Sequence, residues 1–88
     1  MNASVNSSDV KQTVKSYLLK EFLPGENPDE LTDTTPLVTG GVLDSLATVK
    51  LVAFLEERYG IEFEPHEISS DYLDTLDTIA DVVTTKKV

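Results

Sequence analysis

The sequence predicts an all-α domain: a small four-helix bundle of three main helices and a short third helix, with a long loop between the first two. Apolar residues recur at helical spacing in three segments of the 88-residue chain. The segment 61–63, with apolar residues at both ends, is too short to form a sheet. With 40% hydrophobic residues, the chain can build one compact core. We expect a flexible tail over 1–7 and a single domain over 8–86.

The first helix is predicted over about 8–23. Ser7 or Ser8 can cap it, because a hydroxyl oxygen accepts a first-turn backbone N–H. Pro24-Gly25 is expected to end it. One apolar stripe is expected to face the core: Val10, Val14, Tyr17, Leu18 and Phe22.

The long loop over 24–43 holds three of the four prolines and three of the four glycines. A connection of this length in so small a domain indicates either a packed loop or a functional one. The Gly40-Gly41 pair allows a close approach of the backbone just before the next helix. Three apolar side chains are expected to attach the loop to the core: Leu31, Leu37 and Val38.

The second helix is predicted to follow an Asp44 N-cap, to run through Tyr59 and to end at Gly60. Its core stripe is expected to consist of Thr48, Leu51, Val52, Leu55 and Tyr59. A second sector of the helix carries Ser45, Leu46, Val49, Ala53 and Glu56. This sector leaves two interpretations open: a central helix buried on two sides, or a strip that faces a partner.

A short helical turn is predicted at 65–68, since Pro65 suits the first position of a helix. Thr75 can cap the last helix. The core side of that helix follows the i, i+3, i+4, i+7 rule with Leu76, Ile79, Ala80 and Val83.

The charge of the chain limits its partners. The formal net charge is −9, and the stretch 21–85 holds fifteen acidic residues against two basic ones, Lys50 and Arg58, which is a formal −13. Such a charge disfavours nucleic acid and anionic membrane surfaces. The acidic surface indicates either a solvated face or a docking surface for electropositive partners.

The chain contains no cysteine, which excludes a disulfide framework, a thiolate metal site and a native thiol nucleophile. No apolar run approaches the ~20 residues that a membrane span needs. The N-terminus lacks the pattern of a signal peptide. We therefore expect a cytoplasmic protein.

Catalytic and metal sites have little support in the sequence. His66 is the one histidine, and no G-x-S-x-G elbow is present, so a hydrolase is disfavoured. A calcium-binding helical protein is the least favoured alternative, because the calcium-loop motif D-x-[DN]-x-[DN]-G is missing. We expect no metal ligands. The acidic residues that could line one helix edge are Asp71, Asp74, Asp77 and Asp81.

Ser45 would occupy the first position of the second helix, beside the glycine-rich loop. A phosphodiester attached there would meet the positive end of the helix dipole and its unsatisfied N–H groups. The tripeptide Asp44-Ser45-Leu46 is also ordinary for a first turn, so by itself it is a weak signal.

In its context this tripeptide is a strong signal. The segment 41–61, G-V-L-D-S-L-A-T-V-K-L-V-A-F-L-E-E-R-Y-G-I, closely resembles the acyl carrier protein family, and the resemblance covers about 9–85. It implies that Ser45 carries covalent 4′-phosphopantetheine, with Asp44 capping the helix and helping to position the serine, and with Leu46 as the third cofactor-binding residue of the motif. Acyl or aminoacyl groups would be held as thioesters on the thiol of that cofactor.

The resemblance also implies partners: a phosphopantetheinyl transferase, an adenylating acyl or aminoacyl ligase, and downstream acyl-processing enzymes. The chain itself would be a non-enzymatic monomer. The family's partner contacts along the second helix correspond here to Leu46, Val49, Lys50, Ala53, Glu56 and Glu57.

The sequence departs from one branch of the family. Carriers of type II fatty acid synthesis usually have acidic residues where this chain has Ala47 and Lys50. The lead-in at 41–46 and the segment 71–76 look more like freestanding aminoacyl carriers, including D-alanyl carrier proteins. We predict a dedicated carrier, of a secondary-metabolite or aminoacyl pathway, with an aminoacyl or short acyl cargo. The alternatives are a type II fatty acid carrier and a cofactor-free acidic helical adaptor.

Overall fold

The structure, a computed structural model, describes residues 6–23, 25 and 28–87. This part of the chain contains helices, turns and loops but no strand, so the all-α prediction is confirmed. Its α-helices are α1 (Ser7–Glu21), α2 (Ser45–Tyr59), α3 (Ser70–Leu73) and α4 (Leu76–Lys87). Two 3₁₀ turns, Pro28–Glu30 and Pro65–Glu67, precede α2 and α3.

The start of α1 differs from the prediction. Asn6 is the N-cap, and its side chain accepts the backbone N–H of Asp9 at 2.8 Å. The prediction of Ser7 or Ser8 as the cap was therefore wrong. Asn and Ser are equally good caps, so three candidate residues in a row left the first turn ambiguous.

The end of α1 also lies earlier than the sequence suggested. The helix ends at Glu21, and the N–H of Phe22 still donates to the carbonyl of Leu18 at 2.9 Å. The predicted end at residue 23 was two residues late. Pro24 and residues 1–5, which include most of the expected tail, lie outside the described residues.

The boundaries of α2 match the prediction at both ends. The Asp44 side chain accepts the N–H of Ala47 at 2.8 Å, which satisfies a first-turn donor. At the other end Gly60 has φ +66° and donates its N–H to the carbonyl of Glu56. This left-handed conformation favours glycine, because it has no Cβ.

The predicted short helical turn at 65–68 is confirmed, and a further helical turn follows it. The predicted turn at 65–68 is a 3₁₀ turn, closed by a reciprocal capping box between Glu64 and Glu67. The third α-helix follows it as a separate single turn, Ser70–Leu73. Thr75 then begins α4 as predicted, with its hydroxyl accepting the N–H of Thr78 at 3.1 Å.

The core lies between α1, α2 and α4, and α1 packs mainly against α4. The loop between α1 and α2 is packed onto this core, because Leu31 and Leu37 are buried in it and Val38 packs against it half-buried. Buried residues of the three main helices are Val10, Val14, Leu18, Ala47, Thr48, Leu51, Val52, Leu55, Leu76, Ile79, Ala80 and Val83. The predicted core stripes are therefore confirmed, except that Tyr17, Phe22 and Tyr59 are half-buried.

An ion pair also fixes the loop to the bundle. The ammonium of Lys11 on α1 lies 2.6 Å from Asp77 on α4 and 3.3 Å from Asp33 in the loop. These two carboxylates raise the pKa of Lys11, with the hydrogen bond to Asp77 as the larger cause.

Within the described residues, none of the helices is long and apolar enough to span a bilayer.

Candidate functional site

Ser45 is the first residue of α2, and it is exposed. The residue before it, Asp44, binds the helix twice: its carboxylate accepts the N–H of Ala47, and its carbonyl accepts the hydroxyl of Thr48 at 2.8 Å. Both contacts fix the backbone on either side of Ser45. The serine hydroxyl therefore lies at the positive end of the α2 dipole, a place that favours an attached anion.

The loop that leads into Ser45 is tightly folded. The N–H of Leu43 donates to the carbonyl of Leu37 at 2.8 Å, which closes the loop. A Cβ on Gly40 would clash with the carbonyl oxygen of Pro36, and Gly41 has φ +86°. Glycine is therefore favoured at both positions, at Gly40 for a close approach and at Gly41 for a left-handed conformation.

Asp74, between α3 and α4, binds this loop from the far side. Its Oδ1 accepts the N–H groups of Val38 and Thr39 at 2.9 and 2.8 Å. The hydroxyl of Thr39 also donates to the carboxylate, at 2.9 Å from Oδ2. These donors, with the N–H of Thr39 as the largest cause, hold the pKa of Asp74 below its usual value. Sequence reasoning missed this role, since the two partners lie far apart along the chain.

A groove of about 500 Å³ runs beside Ser45 and is open to solvent. Its walls come from the loop, from the first turn of α2 and from the segment before α3. Its lining combines apolar side chains, hydroxyl side chains and one carboxylate: Val38, Leu43, Asp44, Ser45, Thr48, Val49, Ile68 and Ser69.

The second sector of α2 faces solvent. Leu46 is 65% exposed and Val49 is 59% exposed, and both are large apolar side chains. Lys50, Ala53 and Glu57 are exposed beside them. A helix buried on two sides is therefore excluded, and the other interpretation of this sector, a strip that faces a partner, remains a prediction.

Glu56 is the exception among the candidate docking residues. It is half-buried, and its Oε2 accepts the backbone N–H of Phe63 at 2.8 Å. This bond attaches the segment that follows α2 to the helix itself. The carboxylate of Glu56 is thus engaged within the fold, and the sequence carried no sign of it.

The four late aspartates do not form one edge of a helix. Asp74 binds the loop and Asp77 pairs with Lys11, whereas Asp71 and Asp81 lie in α3 and α4. In the part of the chain that the structure describes, no three carboxylate or imidazole groups converge as metal ligands would. His66 is exposed and packs edge-on against Tyr72, with ring centroids 5.9 Å apart.

Comparison with known proteins places this geometry in a family. A family model described as "Phosphopantetheine attachment site" matches residues 18–85. Two curated relatives are the D-alanyl carrier proteins of Streptococcus suis strains 98HAH33 and 05ZYH33. Each is 34% identical over 71 residues, which covers 81% of this chain and 86% of the relative.

These matches cover most of the chain, including α2 and the exposed serine at its start. A domain of this family carries 4′-phosphopantetheine covalently on a serine. The resemblance noted in the sequence is thereby confirmed. Taken with the helical bundle, the matches show that the chain belongs to the family of phosphopantetheine-bearing acyl and aminoacyl carrier proteins.

Proposed function

We propose that Ser45 is the attachment residue for 4′-phosphopantetheine, and that the chain carries aminoacyl or short acyl groups for the enzymes of a dedicated pathway. One observation carries this proposal: Ser45 is exposed at the first position of a helix, at the edge of an open groove. When bound, the cofactor supplies the thiol that this cysteine-free chain lacks.

The residues around Ser45 fit such a group. The helix N-terminus favours the negative charge of a phosphodiester. The apolar side chains of Val38, Val49 and Ile68 offer packing to an arm lying in the groove. The hydroxyls of Thr48 and Ser69 line the same groove, next to those side chains. Apolar and hydroxyl surfaces together suit a chain of alternating methylene and amide groups.

A small aminoacyl cargo is favoured over a fatty acyl one. The named relatives are D-alanyl carrier proteins. Two positions that are usually acidic in fatty acid carriers differ here: Ala47 is buried, and Lys50 is an exposed cation. A small amino acid adds little apolar surface and needs no enclosed cavity, so an open groove is sufficient. D-Alanine is the first candidate.

Partners are proposed to dock on a strip that begins next to Ser45. We define the docking strip as Leu46, Val49, Lys50, Ala53 and Glu57, all exposed on α2. Its apolar side chains would fill pockets on a phosphopantetheinyl transferase, an adenylating ligase and the downstream enzymes. The chain itself would act in the cytoplasm as a monomer and would catalyse no step.

Intact mass spectrometry tests the attachment. The protein is incubated with coenzyme A and a promiscuous phosphopantetheinyl transferase. Wild type and Ser69→Ala should each gain one phosphopantetheine mass, whereas Ser45→Ala should gain none. Ser69 is the matched control, because it lines the same groove. Failure of the wild type to gain mass would favour the cofactor-free adaptor, and a gain by Ser45→Ala would contradict the assignment of Ser45.

The cargo is tested on the modified protein. It is incubated with ATP and, in separate reactions, a D-alanine-activating ligase, ligases for other amino acids, and a fatty acyl ligase. We expect D-alanyl or another small aminoacyl group to load fastest, as read by the mass of the intact protein. Preferential loading of a fatty acyl chain would indicate the type II fatty acid carrier instead.

A further inference from the structure

We propose that Asp74 is a positioning residue for the transfer of phosphopantetheine to Ser45. The inference rests on the proposed attachment to Ser45 and adds a residue that lies far from it along the chain. Among the described residues, no hydrogen bond joins Asp74 to Ser45 or to its chain neighbours; Asp74 acts through the loop between them.

The first step links Asp74 to the loop. Its carboxylate accepts two backbone N–H groups, from Val38 and Thr39, and its own carbonyl accepts the N–H of Leu37. The Thr39 hydroxyl donates to both carboxylate oxygens, at 3.1 and 2.9 Å. Three successive loop residues are thus held at one point beside the start of α4.

The second step links the loop to Ser45. The carbonyl of Leu37 accepts the N–H of Leu43, which is buried at 2% exposure. Leu43 is followed directly by Asp44, the cap of α2, and then by Ser45. Val38 and Leu43 also form one wall of the groove beside the serine. Displacing residues 37–39 would therefore move the groove wall and the approach to the serine hydroxyl.

Loss of the Asp74 contacts is expected to lower the fraction of molecules whose loop is competent, that is, folded so that the transferase can reach Ser45. If the loop loses its anchor, only a fraction of molecules presents Ser45 correctly at any time. The apparent affinity of the transferase for the carrier falls by that fraction. A competent fraction of about one tenth would raise the KM for the carrier about tenfold, with less change in kcat.

The test measures kcat and KM of a promiscuous phosphopantetheinyl transferase with the full chain as substrate. Asp74→Ala removes the carboxylate, and Asp74→Asn removes its charge but keeps an Oδ1 acceptor for the two N–H groups. Lys11→Met is the control, because Lys11 also ties the long loop to α4 but through Asp33, away from residues 37–43. All assays are run well below the melting temperature of each variant.

We expect Asp74→Ala to raise KM about tenfold, as would follow from a tenfold loss of competent loops, and Asp74→Asn to stay near wild type. Lys11→Met should lose thermal stability but keep the wild-type KM. Amide hydrogen exchange gives a second readout: Val38 and Thr39 should exchange faster in Asp74→Ala and remain protected in Lys11→Met. If Asp74→Ala does not fold, Asp74→Ser makes the same test.

Each other outcome overturns a specific claim. An unchanged KM in folded Asp74→Ala, or in its serine substitute, would overturn the positioning role. An equal rise in Lys11→Met would show a general loss of stability instead. An equal rise in Asp74→Asn would show that the charge matters and not the anchored geometry. If the wild type itself accepts no phosphopantetheine, the proposed function fails, and faster exchange at Val38 and Thr39 alone would still report the anchor.

Discussion

The ring of Tyr17 on α1 stacks on the ring of Phe54 on α2, with centroids 4.1 Å apart and planes 13° apart. The hydroxyl of Tyr17 also donates to the carbonyl of Lys50 at 3.3 Å. Burial raises the pKa of the Tyr17 phenol, which therefore stays neutral and able to donate at physiological pH. This pair fixes α1 against the side of the helix that begins at Ser45.

Removing the stacked ring should cost more than removing the hydroxyl. We expect Phe54→Ala to lower the free energy of unfolding by about 2 kcal/mol, because it removes a half-buried ring and its stacking on Tyr17. Tyr17→Phe keeps the stacking and should cost about 0.5 kcal/mol. Urea unfolding followed by circular dichroism measures both. Equal losses would show that the hydrogen bond, and not the stacking, holds the two helices.

Alanine variants of the two glutamates near the end of α2 should differ in stability. Glu56→Ala leaves the N–H of Phe63 without its carboxylate acceptor, so we expect a loss of about 2 kcal/mol. Glu57→Ala removes an exposed side chain and should change stability by less than about 0.5 kcal/mol. Thermal unfolding of both variants checks this. Equal stabilities would mean that the Glu56 contact contributes nothing.

Substitution by alanine should distinguish the glycines of the chain. Gly41→Ala and Gly60→Ala have room for a Cβ but strain a positive φ, so each should cost about 1 kcal/mol. Gly40→Ala must also move the Pro36 carbonyl, which is backbone, and should cost about 3 kcal/mol. The measurement is urea unfolding of the three variants. A Gly40→Ala variant as stable as the other two would contradict the close approach at Pro36.

The contact between Glu67 and Lys86 should make part of the stability depend on pH. The Lys86 ammonium lies 2.6 Å from Glu67 and holds the pKa of that carboxyl below its usual value. The stabilisation is complete above the unfolded pKa of about 4.3 and is lost as the pH falls through the lower folded pKa. Wild type should therefore exceed Glu67→Gln in stability at pH 7. The difference in the free energy of unfolding should shrink below about pH 4. Urea titrations at several pH values measure it. A difference that does not change with pH would mean that the charge of Glu67 does not contribute to stability.

Charge reversal within the docking strip should slow loading by the ligase more than charge reversal elsewhere on α2. Lys50→Glu reverses the cation inside the strip, and Arg58→Glu makes the same change on α2 outside it. With the ligase that loads the modified protein best, we expect Lys50→Glu to lower kcat/KM about tenfold at low salt and Arg58→Glu to have a smaller effect. The loss should diminish as salt increases, because exposed charges are screened. Equal effects of the two variants would place the contact elsewhere.

What the sequence predicted well depends on neighbours along the chain. The cap of α2 by Asp44, its end at Gly60 and the position of Ser45 all follow from interactions within four residues. The start of α1 failed for the same local reason, since Asn6 and the serines after it are alternative caps. Periodicity identified the exposed sector of α2, and the structure was needed to show that it faces solvent.

What the sequence missed depends on contacts across the fold. The partners of Asp74 lie some thirty-five residues earlier, and no local pattern distinguishes its carboxylate from those of its acidic neighbours. Glu56 sits in a helical pattern typical of an exposed glutamate, and only the course of the chain after Gly60 brings the N–H of Phe63 to it. Both residues are polar groups whose use is set by tertiary structure, which periodicity does not report.

Because Ser45 is the first residue of α2, the helix sets the distance between the serine and each residue of the docking strip. At a rise of about 1.5 Å per residue, the far end of the docking strip at Glu57 lies roughly 18 Å along the helix axis from the serine. Since α2 packs on the core through Leu51, Val52 and Leu55, this spacing is set by the geometry of the helix. If partners dock on this strip and the cofactor is attached at Ser45, as proposed, the distance from the docked surface to the attachment point is fixed by the helix itself.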